Sequence, residues 1–198
     1  MTAQNRQIGN TLLMLGDSLV EWGDWVSLLP DIPVINRGRA GEHTEELSAR
    51  LVSEIDAAVD AGEEPRYILL MTGTNNLLTG SSYFPVILSS MLPRLVDLCP
   101  QSSITLNSVM PMQVSGLAQE SITAANNELR EAARQSGCHF LDMTGPFTEQ
   151  CLPVTKPCFL NDGVHLSTRG YQVWAGAIRK HLAALEEDRH KQSELLRQ

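Results

Sequence analysis

The sequence predicts an α/β fold: a three-layer α/β/α sandwich around a five-stranded parallel sheet in flavodoxin-like order. Three observations lead there. Short, almost continuously apolar runs alternate with longer stretches of helical periodicity, the pattern of a parallel sheet covered on both faces. The residues with the most chemical character fall just past the carboxyl ends of those runs, where open α/β sheets bind ligands. No repeat, linker or low-complexity tract interrupts the 198 residues, and that length suits one domain over 1–198.

Leu12 to Leu15 reads as a buried strand that Gly16 breaks, just ahead of Asp17 and Ser18. Trp22, Trp25, Val26 and Leu28, spaced at three and four, predict an amphipathic helix over Leu19 to Leu29, ended by Pro30. Pro33 to Asn36 is a short strand running into the turn Arg-Gly-Arg-Ala-Gly. Thr44 caps a long helix in which Leu47, Leu51, Ile55, Ala58 and Val59 form one stripe. Glu45 and Glu46 suit the positive end of its dipole, and Gly62 closes it.

Tyr67 to Met71 is the most apolar run and predicts a central strand, delivering Thr72-Gly73-Thr74-Asn75-Asn76 at its end. A helix over about Pro85 to Cys99 follows, with a kink or break at Pro93. Ile104 to Val109 is the fourth strand, emptying into Met110-Pro111-Met112. Ile122 to Gln135 is a helix stopped by Gly137, and Cys138 to Met143 the fifth strand. Gly145 to Asn161 reads as irregular, and the last helix covers about Thr168 to Ala184. Residues 1–10 and 186–198 are expected to be peripheral or frayed.

Composition narrows the function classes. With 42% hydrophobic and 19% charged residues the chain is globular, with no membrane span expected. A net charge of −8 speaks against nucleic acid as a partner, since phosphate backbones call for a basic face. The polar first ten residues and the short apolar run behind them do not make a signal peptide, so a cytoplasmic location is the expectation. Cys99, Cys138, Cys151 and Cys158 lack metal-site pairing and read as free thiols. A bridge between Cys151 and Cys158 is the minority outcome in a reducing compartment.

Acyl transfer needs a nucleophile, a base, a group that orients the base, and donors for the developing oxyanion. The chain has a candidate for each. Ser18 is the nucleophile. Asp162 and His165, three residues apart, can bond directly, leaving the second ring nitrogen of His165 for Ser18. The oxyanion donors are the backbone N–H of Ser18, the backbone N–H of Gly41 and the side-chain amide of Asn75. Singly, each residue also suits a cap or a turn; it is their joint placement that points to catalysis. Asp17 suits a backbone-tying role in the turn before Ser18. The order Ser, Asp, His matches the α/β-hydrolases, yet their Gly-any-Ser-any-Gly elbow is missing, so the scaffold is a different one.

These residues carry a resemblance. Gly16-Asp17-Ser18-Leu19, Asn36 to Gly41, Gly73-Thr74-Asn75 and Asp162-Gly163-Val164-His165 resemble the four motif blocks of the GDSL, or SGNH, hydrolase family, in family order and over nearly the whole chain. The Thr-Asn-Asn and Asn-any-Gly-any-any-Gly forms are most similar to the branch with platelet-activating-factor acetylhydrolase subunits and bacterial acyl or carbohydrate esterases. The resemblance implies a serine esterase with no metal and no cofactor, with Ser18, Gly41, Asn75 and His165, joined by Asp162, in the roles just argued. Arg37 and Arg39 depart from the pattern and leave the substrate type open.

For the substrate, Leu77, Leu78, Met110, Met112, Phe159 and Val164 follow the strand ends; they suit the lining of an apolar pocket, and several suit the core equally well. Short loops without a lid favour a small acyl group such as acetyl. Arg39 or Arg169 is the candidate contact for an anionic leaving group. The expected partner is a small-molecule acyl ester, with a homodimer left open. Two other classes compete: a nucleotide- or flavin-binding module of flavodoxin type, and a non-catalytic scaffold subunit built on the same fold.

Overall fold

The structure, a computed structural model, describes residues 10–60, 64–151 and 158–195. Five strands, β1 (Leu12–Gly16), β2 (Val34–Gly38), β3 (Tyr67–Met71), β4 (Ser103–Asn107) and β5 (His139–Leu141), form one sheet in the order β2-β1-β3-β4-β5. Every pairing is parallel. Both the class and the strand order match the sequence expectation. In this order the direction of winding reverses between β1 and β3, and the crevice at that reversal is where such sheets bind ligands. The register sets Gly16 opposite both Gly38 and Met71, so three strands finish level at one rim.

The helices are α1 (Ser18–Glu21), α2 (Trp25–Leu28), α3 (Thr44–Asp60), α4 (Thr74–Leu78), α5 (Phe84–Leu98), α6 (Gln119–Gln135), α7 (Thr144–Cys151) and α8 (Thr168–Leu195). Along β1 the pleat sends Leu13 and Leu15 to one face and Leu12 and Met14 to the other. The first pair joins a core built with α3, α5 and α6, the second a core built with Trp25, Phe147, Trp174 and Ile178 of α2, α7 and α8. All ten residues of β1 and β3 are consequently buried.

Several elements differ from the sequence reading. The helix expected over Leu19 to Leu29 is two short helices, α1 and α2, separated at Gly23, where a Cβ would fall 2.4 Å from the Trp25 ring. Trp25 turns inward and its Nε1–H donates to the Val20 carbonyl at 2.7 Å. The break rotates Trp22 and Val26 off the inward stripe, leaving them 53% and 78% exposed. α5 continues through Pro93. α7 occupies part of the stretch read as irregular; its Pro146 lies in the first turn, where helical N–H groups have no intrahelical partner to lose. Residues 61–63, with the expected stop at Gly62, lie outside the described residues, as do 1–9 and 152–157.

Two further expectations are corrected. Cys151 and Cys158 are not free thiols but a disulfide, their Cα atoms 5.6 Å apart, in the range a bridge requires. α7 delivers Cys151 to that distance. Cys99 and Cys138 take no part in a disulfide. Since disulfides belong to oxidising compartments, this one gives the cytoplasmic expectation no support. At the other end, α8 does not fray at 186 but runs to Leu195. Glu186 accepts hydrogen bonds from the Arg66 guanidinium and the Tyr67 hydroxyl, and Arg189 donates to Ser103 Oγ at 2.9 Å, so both tie α8 to the sheet. Among the described residues, no helix is long and apolar enough to cross a membrane.

Candidate active site

Gly16 ends β1 where a Cβ would sit 2.1 Å from the Met71 carbonyl oxygen, so β1 and β3 can close up at the rim only with glycine there. Asp17 then turns the chain: its Oδ1 accepts the Leu19 N–H at 2.9 Å as the N-cap of α1, the backbone-tying role read from the sequence. Ser18 follows as the first residue of α1, 5% exposed.

Asp17 itself is fully buried. Burial pushes its carboxyl up to about 6, although the Leu19 N–H, the Thr74 hydroxyl and His165 pull it down. The folded chain therefore holds this proton to higher pH than the unfolded chain, whose value is near 3.8. The resulting stability is full below 3.8 and is lost as pH rises through about 6. Asp17→Asn keeps the capping oxygen and removes the titration. Urea unfolding is expected to show the variant gaining on the wild type by about 2 kcal/mol between pH 4 and pH 7. An equal offset at both pH values would contradict this.

His165 lies not directly at a strand end but in the loop between α7 and α8. That loop is tightly closed. Phe159 and Leu166 form an antiparallel bridge, the Leu160 N–H donates to the His165 carbonyl at 2.7 Å, and the Ser167 N–H to the Cys158 carbonyl at 2.9 Å. Gly163, at φ 71°, brings the loop against the segment after β4: a Cβ would fall 2.1 Å from the Gln113 carbonyl oxygen. Its own carbonyl accepts the Gln113 N–H at 2.9 Å.

Asp162 Oδ1 accepts the N–H groups of Val164 and His165, both at 2.9 Å, which leaves Oδ2 for His165 Nδ1 at 2.7 Å. Burial alone would raise this carboxyl, but the His165 ring and the two N–H groups outweigh it and hold it at about 2. A carboxylate ionised that far down only accepts hydrogen bonds, so Nδ1 carries the proton. In the neutral ring Nε2 is then an acceptor, and it stands 3.0 Å from Ser18 Oγ, ready for the hydroxyl to donate. Ser18, 147 residues before His165, thus joins the Asp162–His165 pair in one hydrogen-bonded chain.

The other two candidates follow β2 and β3. Asn36 pins the end of β2 to α1: its Nδ2 donates to the carbonyls of Val20 and Glu21 and its Oδ1 accepts the Gly38 N–H. Gly41, three residues on, is exposed at φ 76°. Among the described residues neither its N–H nor that of Ser18 enters a hydrogen bond. Asn75 stands in the first turn of α4 and donates from Nδ2 to the Glu42 carbonyl at 2.8 Å, beside Gly41; this fixes the amide and leaves its second N–H.

Sequence reasoning missed the layer that holds this loop. The buried Glu42 carboxylate is gripped by Arg50 through Nε and Nη2, and Arg50 also donates to the Arg37 carbonyl. Asn76 Oδ1 accepts both the N–H and the hydroxyl of Thr44 at 3.0 Å, locking the start of α3 to α4. The second asparagine of Thr-Asn-Asn was the available signal. Trp22 was missed as well: its ring stacks on His165, centroids 4.1 Å apart.

The apolar pocket residues are largely displaced. Leu77, Met110, Met112 and Val164 are buried in the two cores and Phe159 is half-buried against Phe147; Leu78 alone is 38% exposed. Arg39 pairs with Glu54 rather than facing the site unpaired, and Arg169 donates to Gln150.

A family model described as the GDSL-like lipase/acylhydrolase family matches residues 14–173. Among solved structures, one named for platelet activating factor from Streptococcus pneumonia is 24% identical, with a TM-score of 0.73, over 91% of this chain and 86% of that one. A catalytic mutant of an acetylxylan esterase from Geobacillus stearothermophilus is 18% identical, with a TM-score of 0.70, over 88% and 94%. A GDSL-like lipase from Bacteroides thetaiotaomicron is 18% identical, with a TM-score of 0.66, over 89% of each chain. No curated protein matches. At these identities the likeness speaks for the fold.

Proposed function

Because the chain belongs to the GDSL-like lipase/acylhydrolase family, we propose that it is a serine hydrolase of acyl esters, working as one domain through an acyl-enzyme on Ser18 and preferring short, acetyl-type acyl groups. The observation that carries this is the chain from Ser18 Oγ through the His165 ring to Asp162, at 3.0 and 2.7 Å. A serine hydroxyl is a weak nucleophile on its own; an adjacent acceptor nitrogen, held by a carboxylate that stays ionised, is what activates it.

The steps follow from those contacts. His165 Nε2 takes the hydroxyl proton while Oγ bonds to the ester carbonyl carbon, whose oxygen becomes the oxyanion. The N–H groups of Ser18 and Gly41 and the free N–H of Asn75 receive that charge, and losing one such donor typically costs on the order of 3 kcal/mol in the transition state. When the tetrahedral centre collapses, the C–O bond to the alcohol breaks and His165 returns the proton to the leaving alkoxide. Water, deprotonated by His165, then attacks the acyl carbon; the C–Oγ bond breaks, the acid leaves, and His165 returns the proton to Ser18 Oγ. Asp162 stabilises the imidazolium in both halves. The scheme uses no metal and no cofactor.

The preference for short acyl groups rests on burial. Met110, Met112 and Leu77, which would extend an apolar groove from the strand ends, are buried in the cores and are not offered to a fatty chain. The likeness to an acetylxylan esterase supports the same size class.

A fluorophosphonate probe provides the test. One phosphonyl group per chain, located on Ser18 by peptide mass mapping, is expected. An unlabelled, correctly folded protein would overturn the acyl-enzyme scheme and favour the scaffold reading.

A further inference from the structure

We infer that Trp22 is a positioning residue for His165, its indole face holding the imidazole in line with Ser18 and stabilising the positive charge that the ring gains in turnover. This rests on the proton-transfer role proposed above for His165.

The stack is close: ring centroids 4.1 Å apart and planes inclined by 26°. It follows from helical spacing. Trp22 comes four residues after Ser18 and its backbone N–H donates to the Ser18 carbonyl at 3.0 Å, so both side chains leave the same face of α1. The imidazole that reaches Ser18 Oγ therefore passes beneath the indole. Gly23 ends the helix directly afterwards, which keeps Trp22 from being carried into the core as Trp25 is.

Exposure sets Trp22 apart. Trp25 and Trp174 are 2% and 0% exposed, whereas Trp22 is 53% exposed, so core burial is not what its ring supplies. Asp162 Oδ2 and Ser18 Oγ hold the two ring nitrogens, and hydrogen bonds at those two points fix the ring's direction more firmly than its tilt. A stacked face fixes tilt. The charges bearing on the ring are Asp162 at Nδ1 and the carboxyl of Asp17 in the turn before Ser18; the indole adds a π-face that attracts a cation. Because Asp162 is 48% exposed, water competes for its carboxylate, and a second restraint on the imidazole matters more.

Two substitutions separate the parts of this role. Trp22→Phe keeps an aromatic face and Trp22→Leu keeps only apolar bulk. On p-nitrophenyl acetate, Trp22→Leu is expected to lower kcat by about threefold to thirtyfold with KM within about twofold, while Trp22→Phe recovers most of the loss. A readout independent of turnover is tryptophan emission. Removing the stacked ring by His165→Ala should change emission in the chain that carries Trp22 and leave it unchanged in the Trp22→Phe background. The inference is overturned if Trp22→Leu keeps wild-type kcat, if the whole loss falls on KM, or if the emission change is the same without Trp22. Full activity of His165→Ala alone would instead overturn the proposed role of His165.

Discussion

Ser18→Ala is expected to lower kcat for p-nitrophenyl acetate by about 10⁴-fold or more while leaving the fold in place. Among the described residues the removed hydroxyl makes one side-chain hydrogen bond, to His165 Nε2, and Ser18, though buried, belongs to neither apolar core, so the thermodynamic cost is about 1 kcal/mol. Asp17 Oδ1 still caps α1 through the Leu19 N–H, and the backbone N–H of residue 18 stays in place. Any remaining turnover over the uncatalysed rate would come from oxyanion donors and binding alone. Initial rates with near-UV circular dichroism on the same preparation check this. A rate within tenfold of the wild type, at unchanged tertiary signal, would show that the hydroxyl forms no covalent intermediate.

How much of this was legible in the sequence depends on the range of the interaction that fixes each part. Tyr67–Met71 is a strand at the bounds read from its residues, because a run buried on both faces is apolar throughout. Asn75 and Gly41 stand just after β3 and β2 as read, since glycine and asparagine mark the ends of strands in a local and repeatable way. Burial on a given face is not local. Met110 and Met112 look like a pair on one side of an extended segment, yet the Met112 N–H turns back to the Met110 carbonyl at 2.8 Å and sends the two into opposite cores.

Distant partners account for most of the remainder. The charged end of α8 read as frayed because its anchors, Arg66 and Ser103, lie more than eighty residues earlier. Cys151 and Cys158 read as free thiols because a reducing compartment was expected, and the helix that presents one to the other was not visible in a stretch with three prolines. Trp22 read as part of one apolar helical stripe with Trp25 because the break at Gly23 turns on a clash with Trp25 that periodicity cannot express. The glycines tell the same story in reverse. Gly16 and Gly163 look like turn residues, but a Cβ at either would strike a carbonyl oxygen at 2.1 Å, so each also sets how closely two segments approach behind the site.

His165→Ala is the second large loss expected, again about 10⁴-fold or more in kcat, and its combination with Ser18→Ala is the more revealing measurement. If the hydroxyl and the imidazole act as one unit, removing the second after the first costs almost nothing, because the base has no proton to take and the nucleophile no base. The double variant should therefore be no slower than the slower single one. Multiplying losses would mean two independent contributions and would contradict the single hydrogen-bonded chain from Ser18 to Asp162. Asp162→Asn extends the cycle. It removes the carboxylate held at about 2 and allows the amide to present an N–H to Nδ1, which favours the tautomer with its proton on Nε2. That ring can no longer accept from Ser18, so Asp162→Asn is expected to lose about as much as its partners despite keeping its shape. Near-wild-type turnover from Asp162→Asn would show that His165 is oriented by its loop, through the Leu160 and Gln113 hydrogen bonds, and not by the carboxylate.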